Sequence, residues 1–175
     1  MRSDWLDKND ISHLYAALTP TNALVLRVCV ESGLRIGDAL SIRTEQLRRA
    51  SFTLHEQKTG KARRLRLSQA LRADLLRQAG AVYVFPHRSD PNRPRTRQAV
   101  YNDIKRAARA FRLSGQISPH SLRKFYAVER LRQTGDLAAV QRELNHERLE
   151  TTIIYALADR LDLFPRKSNK RRTKK

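Results

Sequence analysis

The stretch Ala23-Leu24-Val25-Leu26-Arg27-Val28-Cys29-Val30 is apolar on nearly every side of a helix, interrupted only by Arg27. A helix without a polar face belongs in the interior, so the other elements must be arranged around it. Thr19-Pro20 supplies its start, with threonine at the cap and proline in the first turn. Gly33 supplies its stop. Leu34-Arg35-Ile36-Gly37-Asp38 follows directly, so Arg35 is expected on a rigid support. A guanidinium held there can grip an anion in a bidentate fork, with the Asp38 carboxylate fixing its orientation. Taken alone, the same two residues also read as a surface ion pair of little worth.

The rest of the chain reads as mainly α with a small antiparallel β-sheet, an α+β class. Asn9 or Asp10 can cap a short first helix through Leu14 and Leu18. Residues 51–55 and 62–67 alternate as strands, and Thr59-Gly60 turns between them with Lys58 and Lys61 near the tip. Ser68 caps a helix that ends at Gly80, and Ala81 to Phe85 reads as a short apolar strand. Pro86 to Arg95 reads as an exposed basic loop. Thr96 caps a helix through Val100, Ile104, Ala107 and Ala108. Ser118-Pro119 opens another, with His120 and Arg123 on one side of its first turn and Leu122, Phe125 and Tyr126 toward the core. Asp136 caps a helix with Leu137, Val140 and Leu144 as its apolar stripe. Thr151 to Leu157 reads as a helix carrying Tyr155.

With 36 Lys and Arg against 17 Asp and Glu, the formal net charge is +19. Such a balance points to a polyanionic partner, most often nucleic acid, and leaves open a protein that only neutralises phosphate. Neither a membrane-spanning run nor a long basic amphipathic helix stands out. The single cysteine, Cys29, allows no disulfide within the chain and fits a reducing, cytoplasmic setting. Residues 1–165 read as one domain, and residues 166–175, with seven basic residues and no acid, as a disordered arm that adds salt-sensitive affinity for phosphate.

One set of residues carries chemistry. His146 precedes Tyr155 by nine positions, and Arg35, Lys58, His120 and Arg123 lie upstream. Together these six suit phosphoryl transfer on a nucleic acid backbone. A tyrosine hydroxyl can attack phosphorus and keep the bond energy in a phosphotyrosine. Two arginines can clamp the developing charge, a lysine on a hairpin can protonate the leaving oxygen, and two histidines can move protons. No carboxylate cluster or Cys/His spacing suggests a metal site, and none is expected.

The same residues resemble the tyrosine recombinase (phage integrase) family, over nearly the whole chain. Ser32-Gly33-Leu34-Arg35-Ile36-Gly37-Asp38-Ala39-Leu40 is similar to the family's first arginine box. Gln57-Lys58-Thr59-Gly60-Lys61 is similar to its β-hairpin lysine, and His120-Ser121-Leu122-Arg123 to its His-x-x-Arg box. Leu144-Asn145-His146 resembles its Leu-Gly-His, with Tyr155 at the expected distance. The resemblance implies a tyrosine recombinase catalytic-domain fold. It also implies that Tyr155 attacks to give a 3′-phosphotyrosyl link, with Arg35, Arg123 and His146 stabilising the transition state. Lys58 would be the general acid, and His120 would assist proton transfer at the tyrosine. Neither metal nor ATP is implied. The implied partners are double-stranded DNA, a tetramer on paired sites, and accessory DNA-bending proteins. Lys61, Arg63, Arg88, Arg93, Arg95 and Arg97 are the expected DNA contacts. Asn145 departs from the family's glycine, and no N-terminal DNA-binding domain of the kind the family commonly carries is expected in these residues. A DNA-relaxing topoisomerase of the same chemistry, or a basic DNA-binding protein that does not cut, remain as alternatives.

Overall fold

The computed structural model describes residues 4–113 and 115–144. The expectations for Asn145, His146, the helix carrying Tyr155 and the basic arm lie outside the described residues. Helices dominate: α1 (Lys8–Ala17), α2 (Pro20–Ser32), a short α3 (Ile36–Leu40), α4 (Gln69–Gln78), α5 (Arg97–Ala110), α6 (Pro119–Thr134) and α7 (Leu137–Glu143). A 3-10 turn covers Thr44–Arg48. The strands β1 (Phe52–His55) and β2 (Ala62–Leu65) pair antiparallel, with Phe52 opposite Leu65 and His55 opposite Ala62. The mainly helical α+β class is therefore the observed one. Within α6 the chain divides into two compact units, Met1–Tyr126 and Ala127–Lys175.

The first unit is built around α2, whose apolar run from Ala23 to Val30 is interrupted only by Arg27. Val25, Leu26, Val28 and Cys29 are buried, and α2 packs on α1, α3 and α4 while α1 packs on α5. Leu14, Leu71, Leu75, Val100, Ile104, Ile117 and Leu122 close the core around it. The N-terminal end of α2 is tied to α5 by one carboxylate. Asp103 accepts the Thr19 backbone N–H at 3.0 Å, the Thr19 hydroxyl at 2.9 Å and the Asn22 amide at 2.7 Å. Burial pushes this carboxyl up, but the hydrogen bonds from Asn22, Thr19 and Arg106 outweigh it and hold it below its ordinary range. Thr19 thus occupies the cap position without a side-chain cap hydrogen bond, and its hydroxyl donates to Asp103.

Three local expectations are corrected. The cap of α1 is Asp7, and Asp10 is its reciprocal partner in a capping box, so two acids share the first turn's donors. Ala81 to Phe85 forms no ladder: only the isolated bridge of Tyr83 to Arg43 is present, although Val84 and Phe85 are fully buried. The expected strands are also shorter: β1 ends at His55 as expected but begins at Phe52, and β2 ends at Leu65 rather than at residue 67. The second unit's described part holds the end of α6 and α7. There Asp136 caps α7 through the Ala139 N–H at 2.9 Å, and Arg130 binds Glu143 with both Nε and an Nη. Among the described residues no helix is long and apolar enough to cross a membrane.

Candidate active site

The site grows from the corner where α2 stops. Gly33 sits at φ 66°, and a Cβ on it would lie 2.4 Å from the Tyr126 ring, so both backbone and space demand glycine. The chain then reverses into α3, and Arg35 stands at its N-terminal cap. Two arginines from elsewhere bind the carbonyls of this corner. Arg123 of α6 donates to the Gly33 oxygen at 2.7 Å, and Arg63 of β2 donates to the Ser32 oxygen. Arg123 is 3% exposed, so it enters the interior rather than lying on an open helix side.

The hairpin is bolted to the same corner. Glu56, one residue past β1, is fully buried. Its carboxylate accepts Arg35 Nη1 at 2.5 Å and the Thr59 hydroxyl at 3.1 Å, and faces Arg63 Nη1 at 3.8 Å. Asp38 accepts the Gln57 backbone N–H at 2.9 Å. The carboxylate that orients Arg35 is therefore Glu56 and not Asp38, whose place on α3 faces the hairpin root. Glu56 is not among the site residues expected from the sequence. Its signal is the strand alternation, since Phe52 and Leu54 point inward and position 56 continues that face. Beyond this root, Gly60 takes φ 67° with open space around it. Lys58 and Lys61 are exposed at the tip, and Lys58 forms no hydrogen bond or ion pair with the described residues.

His120 lies in the first turn of α6, its N–H reaching the Ser118 hydroxyl at 3.3 Å. Although the residue is exposed, its imidazole is held below its ordinary pKa, first by partial desolvation against the protein and then by the charges of Lys124, Arg123, Arg35 and Lys58. Arg35, Lys58 and Arg123, from three separate stretches of chain, thus each act electrostatically on the His120 imidazole. The imidazole is thereby biased to its neutral form. The Arg35 side chain stays 27% exposed, with its Nη1 committed to Glu56. Cys29, beneath this cluster, is chemically quiet: burial pushes its thiol up to about 12 despite Arg123 nearby.

The expected DNA contacts divide. Lys61, Arg88, Arg93 and Arg97 are exposed, and the Arg97 stem passes over Gly37 next to Gln57. Arg63 is corrected: its side chain is 9% exposed and turned inward on the Ser32 carbonyl and Glu56. Arg95 is half-buried, with its Nε bound to Asn22 at 2.8 Å. His146 and Tyr155 lie outside the described residues.

Residues 4–160 match the model of the Phage integrase family. The chain belongs to the phage integrase family. This integrase-family chain is 29% identical over 167 residues to the integrase of Escherichia phage P2, covering 92% of the chain and 47% of that relative. It is 30% identical over 151 residues to the tyrosine recombinase XerD of Pseudomonas putida, covering 79% of the chain and 50% of that relative. It thus spans about half the length of these curated relatives. Among solved structures, the catalytic domain of bacteriophage HP1 integrase matches with TM-score 0.65 and 22% identity, over 96% of this chain and 98% of that one. A lambda integrase dimer bound to a COC′ core site matches with TM-score 0.74 and 19% identity, over 89% and 48%. At these identities the structural likeness establishes a shared fold, the tyrosine recombinase catalytic domain expected from the motifs.

Proposed function

We propose that this chain is the catalytic domain of a site-specific recombinase that breaks and rejoins DNA strands through Tyr155. The observation that supports it most is the corner at Gly33, where Arg123 binds the carbonyl two residues before Arg35 and Glu56 ties Arg35 to the root of the Lys58 hairpin, in a chain of the phage integrase family. The Tyr155 hydroxyl gives up its proton, His120 assisting, and its oxygen bonds to the scissile phosphorus. The bond from phosphorus to the 5′ oxygen breaks, and Lys58 protonates that oxygen. Arg35, with Arg123 and His146, balances the charge growing on the non-bridging oxygens. The phosphotyrosyl link keeps the energy of the cut bond, so a second strand's 5′ hydroxyl reverses the step without ATP. A metal ion has no role in this scheme. The +19 charge and exposed Lys61, Arg88, Arg93 and Arg97 supply affinity for the duplex. One related structure is a lambda integrase tetramer bound to a Holliday junction. We extend that arrangement to this protein, acting in the cytoplasm on paired sites of a mobile element with bending proteins as helpers.

A nicked suicide duplex carrying the protein's own site, incubated with the protein in EDTA, tests this. The protein should form a covalent adduct on a denaturing gel, and Tyr155→Phe should form none. An equal adduct from both proteins would overturn the assignment.

A further inference from the structure

Arg35 and Lys58 must hold a fixed separation if one grips phosphate oxygens while the other protonates the leaving oxygen. They come from different elements, and something must set that separation. The buried Glu56 carboxylate touches both sides: it binds Arg35 at 2.5 Å, and through the Thr59 hydroxyl at 3.1 Å it fixes the residue next to Lys58. The backbone of the same residue closes the turn, its N–H donating to the Lys61 oxygen at 3.0 Å and its carbonyl accepting the Gly60 N–H at 2.8 Å. Arg63, anchored on the Ser32 carbonyl, faces the carboxylate from behind. Burying a carboxylate between two guanidiniums costs desolvation that an apolar residue on this inward strand face would avoid, so the charge is not explained by stability.

We infer that Glu56 is a positioning residue for strand cleavage, setting the Arg35 guanidinium and the root of the Lys58 loop in one register. The inference rests on the recombinase reading above. It makes Glu56 act through Lys58 and Arg35, never on DNA itself. Glu56→Gln keeps the shape and loses the charge that holds both arginines. Glu56→Asp keeps the charge but withdraws it by one methylene, and guards against a Gln variant that does not fold.

The test compares cleavage of an ordinary suicide substrate with one whose scissile 5′ oxygen is replaced by sulfur, a leaving group that needs no proton. On the ordinary substrate each folded Glu56 variant should cleave roughly 10- to 100-fold more slowly, the scale set by a small misplacement of a reacting group. Binding to the intact duplex should be unchanged. On the sulfur substrate most of the part of the loss that runs through Lys58 should vanish, as it should for Lys58→Ala. If Lys58→Ala is rescued and the Glu56 variants are not, or if they cleave the ordinary substrate at full rate, Glu56 does not position the acid and the recombinase reading stands. If Lys58→Ala is not rescued, Lys58 is not the acid and this inference falls with that assignment.

Discussion

The corner at the end of α2 and the loop Pro86 to Arg95 are both rich in arginine, yet they treat the charge in opposite ways. At the corner every arginine is backed: Arg123 by the Gly33 carbonyl, Arg63 by the Ser32 carbonyl, and Arg35 by Glu56. In the loop the backbone is ordered, with His87 N–H to the Arg93 oxygen at 2.8 Å and Arg95 N–H to the Phe85 oxygen at 2.7 Å. Yet Arg88 and Arg93 are exposed and make no side-chain hydrogen bond or ion pair with the described residues. A backed guanidinium arrives at a phosphate already oriented, so its energy goes into geometry. An unbacked one is a mobile point of charge that strengthens attraction without fixing where the ligand lies.

This contrast can be broken most sharply at the corner. Replacing Arg35 or Arg123 by alanine should slow cleavage of a suicide substrate by roughly 100- to 1,000-fold, the usual loss when one preorganised donor to a developing oxyanion is removed. Non-specific duplex binding, measured by fluorescence anisotropy, should fall only slightly, because the charge is spread widely. Normal cleavage by either variant would remove that arginine from the site.

The backbone offers a second way in. Gly33 and Gly60 have nearly the same positive φ, but only Gly33 faces a filled space, the Tyr126 ring. Gly33→Ala should therefore lose roughly 2–4 kcal/mol, from the left-handed backbone and the overpacking together. Gly60→Ala should lose only about 1 kcal/mol. Chemical denaturation of the two variants decides it, and equal losses would mean the corner is not the rigid support described above.

The loop should yield the smallest effects. Arg88→Ala and Arg93→Ala should each lower the dependence of log binding constant on log salt by about one phosphate contact while leaving cleavage of saturated substrate unchanged. A change in cleavage with the salt dependence intact would place the loop in the chemistry and erase the contrast.

Much of this was legible because its cues are local. The Gly33 stop, the Ser118-Pro119 start and the Asp136 cap each depend on residues a turn or less apart, and all stand where expected. The apolar surface of α2 announces the core it occupies. The partners of charged residues are another matter. Asp38 is three positions from Arg35 and looks like its carboxylate, but Glu56, 21 positions away, takes the role. Lys61 and Arg63 lie two apart on one hairpin, and only the folded corner decides that one faces solvent and the other faces Ser32. Ala81 to Phe85 has strand composition but finds only one bridging partner, because the facing segment is already turning into the 3-10 turn at Thr44. Pairings across sequence distance are set by the whole fold, and no local pattern contains them.

The two arginine-bound carbonyls at Ser32 and Gly33 have one more consequence. They belong to the final turn of α2, the pole of a helix whose aligned peptide dipoles leave it partly negative. Left bare, that pole would repel a polyanion arriving beside Arg35. Guanidiniums from β2 and α6 cover it, converting a repulsive surface into an attractive one before any ligand approaches.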